Sequence, residues 1–193
     1  MARPTAPRGQ GRARVLDAAL ELFTEHGVSG TSLQMIADHL GVTKAAVYYQ
    51  FHAKEDIVLA VVQPALEDMR AFLSAAGSAP SPDAAADVAL QGLVDLIIRH
   101  RQVVAALVRD PDVERLVHSH EQFETVTNRL LELLLGPAPD ARRRIAASVL
   151  GAGLAQAGVD PRLADVDDAL LRGDLVHLGR ALLTASQPTN ADA

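Results

Sequence analysis

Residues 31–54 read TSLQMIADHLGVTKAAVYYQFHAK, and they hold both tyrosines of the chain, Tyr48 and Tyr49, and both of its lysines, Lys44 and Lys54. The stretch has the marks of two short helices around a tight turn. Thr31 opens it with Gln34 three residues on, the spacing of a capping box, in which two side chains satisfy backbone N–H groups at a helix start. Leu33, Ile36, Ala37 and Leu40 then follow the i, i+3, i+4, i+7 rule of a helix with one buried face. Gly41 breaks that helix. A second begins at Thr43, whose hydroxyl can cap its own first turn. Val47 and Phe51, four apart, face inward. That leaves Lys44, Ala45 and Tyr48 on the outer face, with Tyr49 and Gln50 at its margins.

A short helix with a free outer face suits the major groove of DNA. Close approach needs small residues, and base reading needs donors near the helix N-terminus. Ala45 and Ala46 allow the approach, while Lys44 and the tyrosine hydroxyls supply donors. Each residue alone reads as readily as a solvated lysine or a half-buried tyrosine. The capped helix, the glycine turn and the polar outer face together define a helix-turn-helix.

Upstream, RARVLDAALELFTEHG (12–27) places Val15, Ala18, Ala19, Leu22 and Phe23 on one stripe and ends at Gly27. Before it, residues 1–14 carry Arg3, Arg8, Arg12 and Arg14 with no acid. Pro4, Pro7, Gly9 and Gly11 keep residues 1–11 from helix, so a flexible basic arm is expected there. Composition leaves a solvated tail and a nucleic-acid-binding arm equally open. This arm is the one basic region. Residues 15–60 set two lysines against six acids, residues 61–193 set twelve arginines against eighteen, and the whole chain has a net charge of −6. That balance argues against a nonspecific nucleic-acid coat.

The 193 residues contain no cysteine, which removes disulfides, thiolate metal sites and a cysteine nucleophile. No apolar run reaches the 18 residues of a membrane span, and the N-terminus has no leader pattern, so a soluble, cytoplasmic protein without membrane partners is expected. Helical periodicity continues throughout, and the fold class is all-α. A long helix from Lys54 carries Ile57, Val61, Ala65, Leu66, Met69 and Leu73, with a kink or break expected at Pro64. Further helices are expected at 84–100, 102–108, 118–135, 141–157 and 165–185. A turn is expected at RDPD (109–112) and a frayed tail over 188–193. The segment 141–157 is rich in small residues, and the last helix spaces Leu171, Leu175, Leu178 and Leu182 as one apolar seam.

The middle helices offer apolar residues for a cavity: Leu66, Met69, Leu73, Leu93, Leu96, Ile97, Leu107, Phe123, Val126 and Leu130. Arg70, His100, Thr127 and Asn128 are polar groups able to orient a ligand there. Catalytic signals are poor. His118 and His120 are two apart and share no helical face, so a metal site with His100 would need a loop. GAGLAQAG (151–158) lies within a helix and follows no strand, unlike a dinucleotide fingerprint. No motif calls for a cofactor. A small all-helical metal-dependent enzyme using His100, His118 and His120 is the competing reading.

Residues 12–62 closely resemble the N-terminal DNA-binding domain of TetR-family transcriptional regulators, through VLDAALELF (15–23), GVSGTSLQMIADHLGVTKAAVYYQF (27–51) and KEDIVLAVV (54–62). The resemblance implies a helix-turn-helix domain over 12–58 followed by a helical ligand-binding and dimerisation domain over 59–187. It implies DNA contacts at Thr43, Lys44, Ala45, Tyr48, Tyr49 and Lys54, with Thr31 and Ser32 near a phosphate. Gln50 departs from the histidine more usual after the paired aromatics. It further implies a homodimer through 141–157 and 165–185, double-stranded DNA as partner, and a small apolar effector bound near Leu66, Met69, Arg70, Leu93, Ile97, His100, Leu107, Phe123 and Thr127. In such a repressor the effector disfavours the DNA-competent spacing of a dimer on its palindromic operator.

Overall fold

A computed structural model describes residues 10–186, without the side chains of Arg109, Pro111, Asp112, Glu114 and His118. The basic arm therefore lies outside the described residues except for Gln10 and Gly11, and so does the tail. Gln10 and Gly11 already belong to a helix, which starts two residues earlier than their composition suggests.

Ten α-helices and a 3-10 turn follow in order: α1 Gln10–Gly30, α2 Leu33–Leu40, α3 Lys44–Gln50, α4 Lys54–Gly77, α5 Pro82–Arg99, α6 Arg101–Arg109, α7 Pro111–His118, α8 Glu121–Leu135, α9 Ala141–Val159, the 3-10 turn Pro161–Leu163 and α10 Asp168–Ala185. There is no strand among the described residues. The helices form two compact units. One comprises residues 10–64 together with 105–118, and the other residues 65–104 with 119–186.

In the first unit α1 buries the stripe read from the sequence: Val15, Ala18, Ala19, Leu22 and Phe23. Its helical geometry breaks at Gly27, where φ is 73°, a value costly for a side-chain-bearing residue. The segment Pro111–His118, expected as turn and loop, is helix α7. Proline at the first helical position, its missing N–H being one the helix start leaves unpaired, is the signal for that start. α4 continues through the exposed Pro64 rather than ending there.

In the second unit α5 is the central element, packed by α8, α9 and α10. Its Ala89, Leu90, Val94 and Ile97 are fully buried. Two glycines permit close approach to it. A Cβ on Gly179 of α10 would come within 2.8 Å of a Leu90 methyl, and one on Gly158 of α9 within 2.2 Å of Ile97 Cγ2. Arg172 and Arg180 of α10 fork onto Asp95 and Asp87 of α5, adding ion pairs around the apolar contact.

Gly92 of α5 is a crowded site that tests this packing. An added Cβ would meet Phe72 at Cγ, Cδ2 and Cβ, at 2.3–2.7 Å, and these atoms lie at the stem of the side chain, where rotation gives little relief. Alanine gains about 1 kcal/mol over glycine in helix propensity. Overpacking costs about 1–3 kcal/mol, so Gly92→Ala should be destabilising by chemical denaturation despite the better helix former. A midpoint above that of the parent would show the Phe72 contact to be loose.

The last two helices each have two faces. On α9, Ala146, Ala147, Leu150, Leu154 and Gly158 are buried, while Ile145, Ser148, Val149, Gly151, Ala152 and Gly153 are exposed. On α10, Leu171, Leu175, Val176 and Gly179 are buried, while Leu170 and Leu178 stand in solvent. The single seam expected from Leu171, Leu175, Leu178 and Leu182 is thus corrected. The buried arc centres between Leu175 and Gly179, so Leu178 falls beyond its edge and Leu182 is half-buried.

Candidate nucleic-acid interface

α2, the turn at Gly41 and α3 are held by their own caps. Ser32, in extended conformation, accepts a hydrogen bond from the Met35 N–H and is the N-cap of α2. This corrects the capping box expected from Thr31 and Gln34: the cap lies one residue later, and the Gln34 amide instead donates to Asp38 at 2.7 Å. Gly41 closes α2 in the left-handed region, φ 64°, with N–H bonds back to α2 carbonyls. Thr43 then caps α3 by accepting from the Ala46 N–H, as its sequence position predicts.

Val47, with no exposed surface, and Phe51 anchor α3 from below. Opposite them Thr43, Lys44, Ala45, Ala46, Tyr48 and Tyr49 are exposed. Tyr49, expected at the margin, is 82% exposed against 52% for Tyr48, so it is the more projecting ring. Two residues outside the expected set steady this face. His52 meets Tyr48 edge-on at 5.2 Å, four residues along. Arg12 lays its guanidinium 4.1 Å over the Phe51 ring and donates to the Gln50 carbonyl at the end of α3. A cation there is matched to the negative end of the helix.

Two candidate DNA contacts have other partners. Thr31 is 2% exposed, and its hydroxyl donates to the carbonyls of Gly27 at 2.7 Å and Leu22 at 3.3 Å. It holds the turn between α1 and α2 and offers no hydroxyl to a phosphate. The Lys54 ammonium donates to the carbonyls of Val28 at 2.7 Å and Thr31 at 3.1 Å, so two of its three N–H groups serve the same turn. Sequence spacing conceals this, because the partners are backbone atoms more than twenty residues away. Ser32, by contrast, is exposed.

The effector-site candidates divide. Leu66, Ile97 and Phe123 are buried in the second unit, with Met69, Leu93 and Thr127 half-buried there. Leu107 falls in the first unit. Arg70 is exposed and donates to Gln122 at 3.3 Å, so it turns outward rather than toward a cavity. The His100 ring is bonded to Asp68 at 2.9 Å, and Arg99 donates to the same oxygen. Hydrogen bonds from His100 and then Arg99 hold the Asp68 carboxyl below its ordinary range. Two pockets of this unit, of about 260 and 710 Å³, are lined by different residues, apart from Asn128 in the larger. No three histidine or acidic side chains are grouped for a metal among the described residues. The His118 side chain lies outside them. No helix among the described residues is long and apolar enough to cross a membrane.

A capped helix, a left-handed glycine turn and a second capped helix with an exposed polar face define a helix-turn-helix protein. Residues 15–61 match the family model described as bacterial regulatory proteins, tetR family. Over 63 residues the chain is 46% identical to the HTH-type transcriptional regulator SrpR of Pseudomonas putida, covering 32% of this chain and 30% of that protein. Over 58 residues it is 48% identical to the HTH-type transcriptional regulator AcrR of Shigella flexneri, covering 30% and 27%. The chain thus spans less than a third of the length of these two relatives. Its fold is similar to a solved TetR-family regulator of Bordetella parapertussis, with TM-score 0.71, 14% identity and coverage of 89% and 94%. It is also similar to NalD of Pseudomonas aeruginosa, described as the secondary repressor of the MexAB-OprM multidrug efflux pump, with TM-score 0.60, 27% identity and coverage of 88% and 96%. The likeness to the tetR family thus rests on residues 15–61, and over the rest of the chain it is a likeness of fold.

Proposed function

We propose that this protein is a homodimeric transcriptional repressor that binds a palindromic operator and is released by a small apolar effector. The observation that carries the DNA-reading role is the outer face of α3, where Lys44, Ala45, Tyr48 and Tyr49 are exposed above the buried Val47 and Phe51. Thr43 and Ser32, capping α3 and α2, complete the set at the two helix starts, where backbone N–H groups favour phosphate. Lys44 donates to guanine acceptors or a phosphate, and the tyrosine rings bring hydroxyls at low entropic cost. Repression follows the relatives and neighbours named as repressors, NalD among them.

Dimerisation is supported by the exposed Ile145 and Val149 on α9 and Leu170 and Leu178 on α10, apolar residues that a second copy would cover. Two α3 helices then meet successive major grooves ~34–36 Å apart. The effector role rests on the buried apolar side chains of the second unit, Leu66, Ile97 and Phe123 among them. An effector that prefers the non-competent state lowers DNA affinity, and DNA lowers effector affinity by the same factor.

The enzyme reading would use His100, whose ring is hydrogen-bonded to Asp68, with His118 and His120. A mobility-shift assay on the DNA upstream of the protein's own coding region tests the proposal, with a metal assay alongside. Retardation of that fragment against unrelated DNA is expected. Stoichiometric tightly held metal with no retardation would favour the enzyme.

A further inference from the structure

The turn joining α1 to α2 is held by three side chains, and one of them comes from far outside the helix-turn-helix. Thr31 and Lys54 lie within or beside it and bind its carbonyls. The third is Asp110, at the junction of α6 and α7. One oxygen of its carboxylate accepts from both the N–H and the hydroxyl of Ser29, each at 2.8 Å. Asp110 is 7% exposed, close to the left-handed Gly27. Residues 105–118 accordingly belong to the same compact unit as residues 10–64.

The geometry has a direct consequence. Ser29 lies three residues before Ser32, the N-cap that starts α2, and α2 carries α3 through the Gly41 turn. The N–H and hydroxyl of Ser29 are donors at the end of a broken helix, and a buried carboxylate binds such donors more strongly than a neutral acceptor does. A shift of the α6–α7 junction therefore changes the support of the turn from which the α2–α3 pair departs. The remaining two clamps act on different atoms, the carbonyls, and leave the exposed Ser29 donors to water.

We infer that Asp110 is a positioning residue for DNA binding, through which residues 105–118 set the pose of the helix-turn-helix by clasping Ser29. This rests on the DNA-reading role proposed above. Because linkage is reciprocal, DNA binding must then tighten residues 105–118, although these make no contact with DNA in this account.

The test uses the full chain and a duplex that the wild-type protein selects from a random pool. Backbone hydrogen exchange is followed in peptides covering 105–118, with and without duplex, beside the affinity for that duplex. The duplex should slow exchange in this segment of the wild type. Ser29→Ala, an exposed position whose loss of a hydroxyl leaves the fold intact, should weaken binding about fivefold and reduce the slowing. Asp110→Ala should weaken binding more, and the double variant no more than Asp110→Ala alone, since both remove one clasp. Ser29→Thr, which keeps a hydroxyl, should restore wild-type behaviour. If Asp110→Ala does not fold, Ser29→Ala against Ser29→Thr decides. Wild-type affinity and wild-type slowing in Ser29→Ala would overturn the inference alone. A wild-type chain that selects no duplex would remove the DNA-reading proposal and this inference with it.

Discussion

Leu178→Glu should halve the mass of the protein in solution while leaving each chain folded. Leu178 is 62% exposed in the single chain, so the substitution removes little from the chain's own core. Its neighbours on the open face of α10 are Leu170, Asp174, His177 and Ala181, one helical arc, and Ile145 and Val149 are exposed on α9. If a second copy covers that arc, the new carboxylate is desolvated without a partner, at a cost on the order of several kcal/mol. A two-fold contact repeats the defect, so the penalty is felt twice. Sedimentation reads the mass and circular dichroism the helix content. The contrast is Leu175→Glu, only three residues away but buried against the chain's own helices. That variant should unfold. A Leu178→Glu protein of full mass would place the dimer contact elsewhere.

The second large effect belongs to α3. Lys44→Ala and Tyr48→Ala should each abolish measurable operator binding, with fold and mass unchanged. Both side chains stand on the outer face, and neither supports Val47 or Phe51. A good base contact is worth about 1–3 kcal/mol of discrimination, and the dimer loses it at both half-sites. Tyr49→Ala should fall in the same class, given its greater exposure. A different outcome is expected for Thr31 and Lys54. Their substitution should lower thermal stability along with affinity, because both hold the α1–α2 turn. If Lys44→Ala and Tyr48→Ala bind the operator as the wild type does, α3 is not the reading helix.

What the sequence made legible follows from which signals are local. Caps, glycine turns and apolar spacing act within about four residues, and so the α2–α3 pair, the Thr43 cap and the buried Val47 and Phe51 were readable directly. The capping box slipped by one residue because Thr31 and Ser32 are both competent caps, and the bonds of the Thr31 hydroxyl back to Gly27 and Leu22 settle which is used. Lys54 misled for a related reason: a lysine near a DNA-facing helix satisfies a phosphate or a carbonyl equally well, and the carbonyls come from another element. α7 was hidden by Asp110 and Pro111, which read as a turn and are also the start of a helix. The Asp110–Ser29 clasp spans 81 residues and left no local trace. On α10, four leucines at helical spacing do not show where the buried arc ends, since Gly179 lets α5 approach on one side and draws the core toward it. The effector residues were the least legible, because apolar side chains in an all-helical unit line a cavity or fill it with the same periodicity.

In the proposed two-fold dimer, α3 of each copy reads a DNA half-site. Selection of bound duplexes from a random pool, followed by sequencing of the enriched population, tests that role most directly. The expected product is an inverted repeat whose half-sites are centred about one helical turn, 10–10.5 base pairs, or a multiple of it apart, lost from the enriched pool when Lys44→Ala protein is used. A wild-type protein that enriches no sequence over the starting pool would contradict that role.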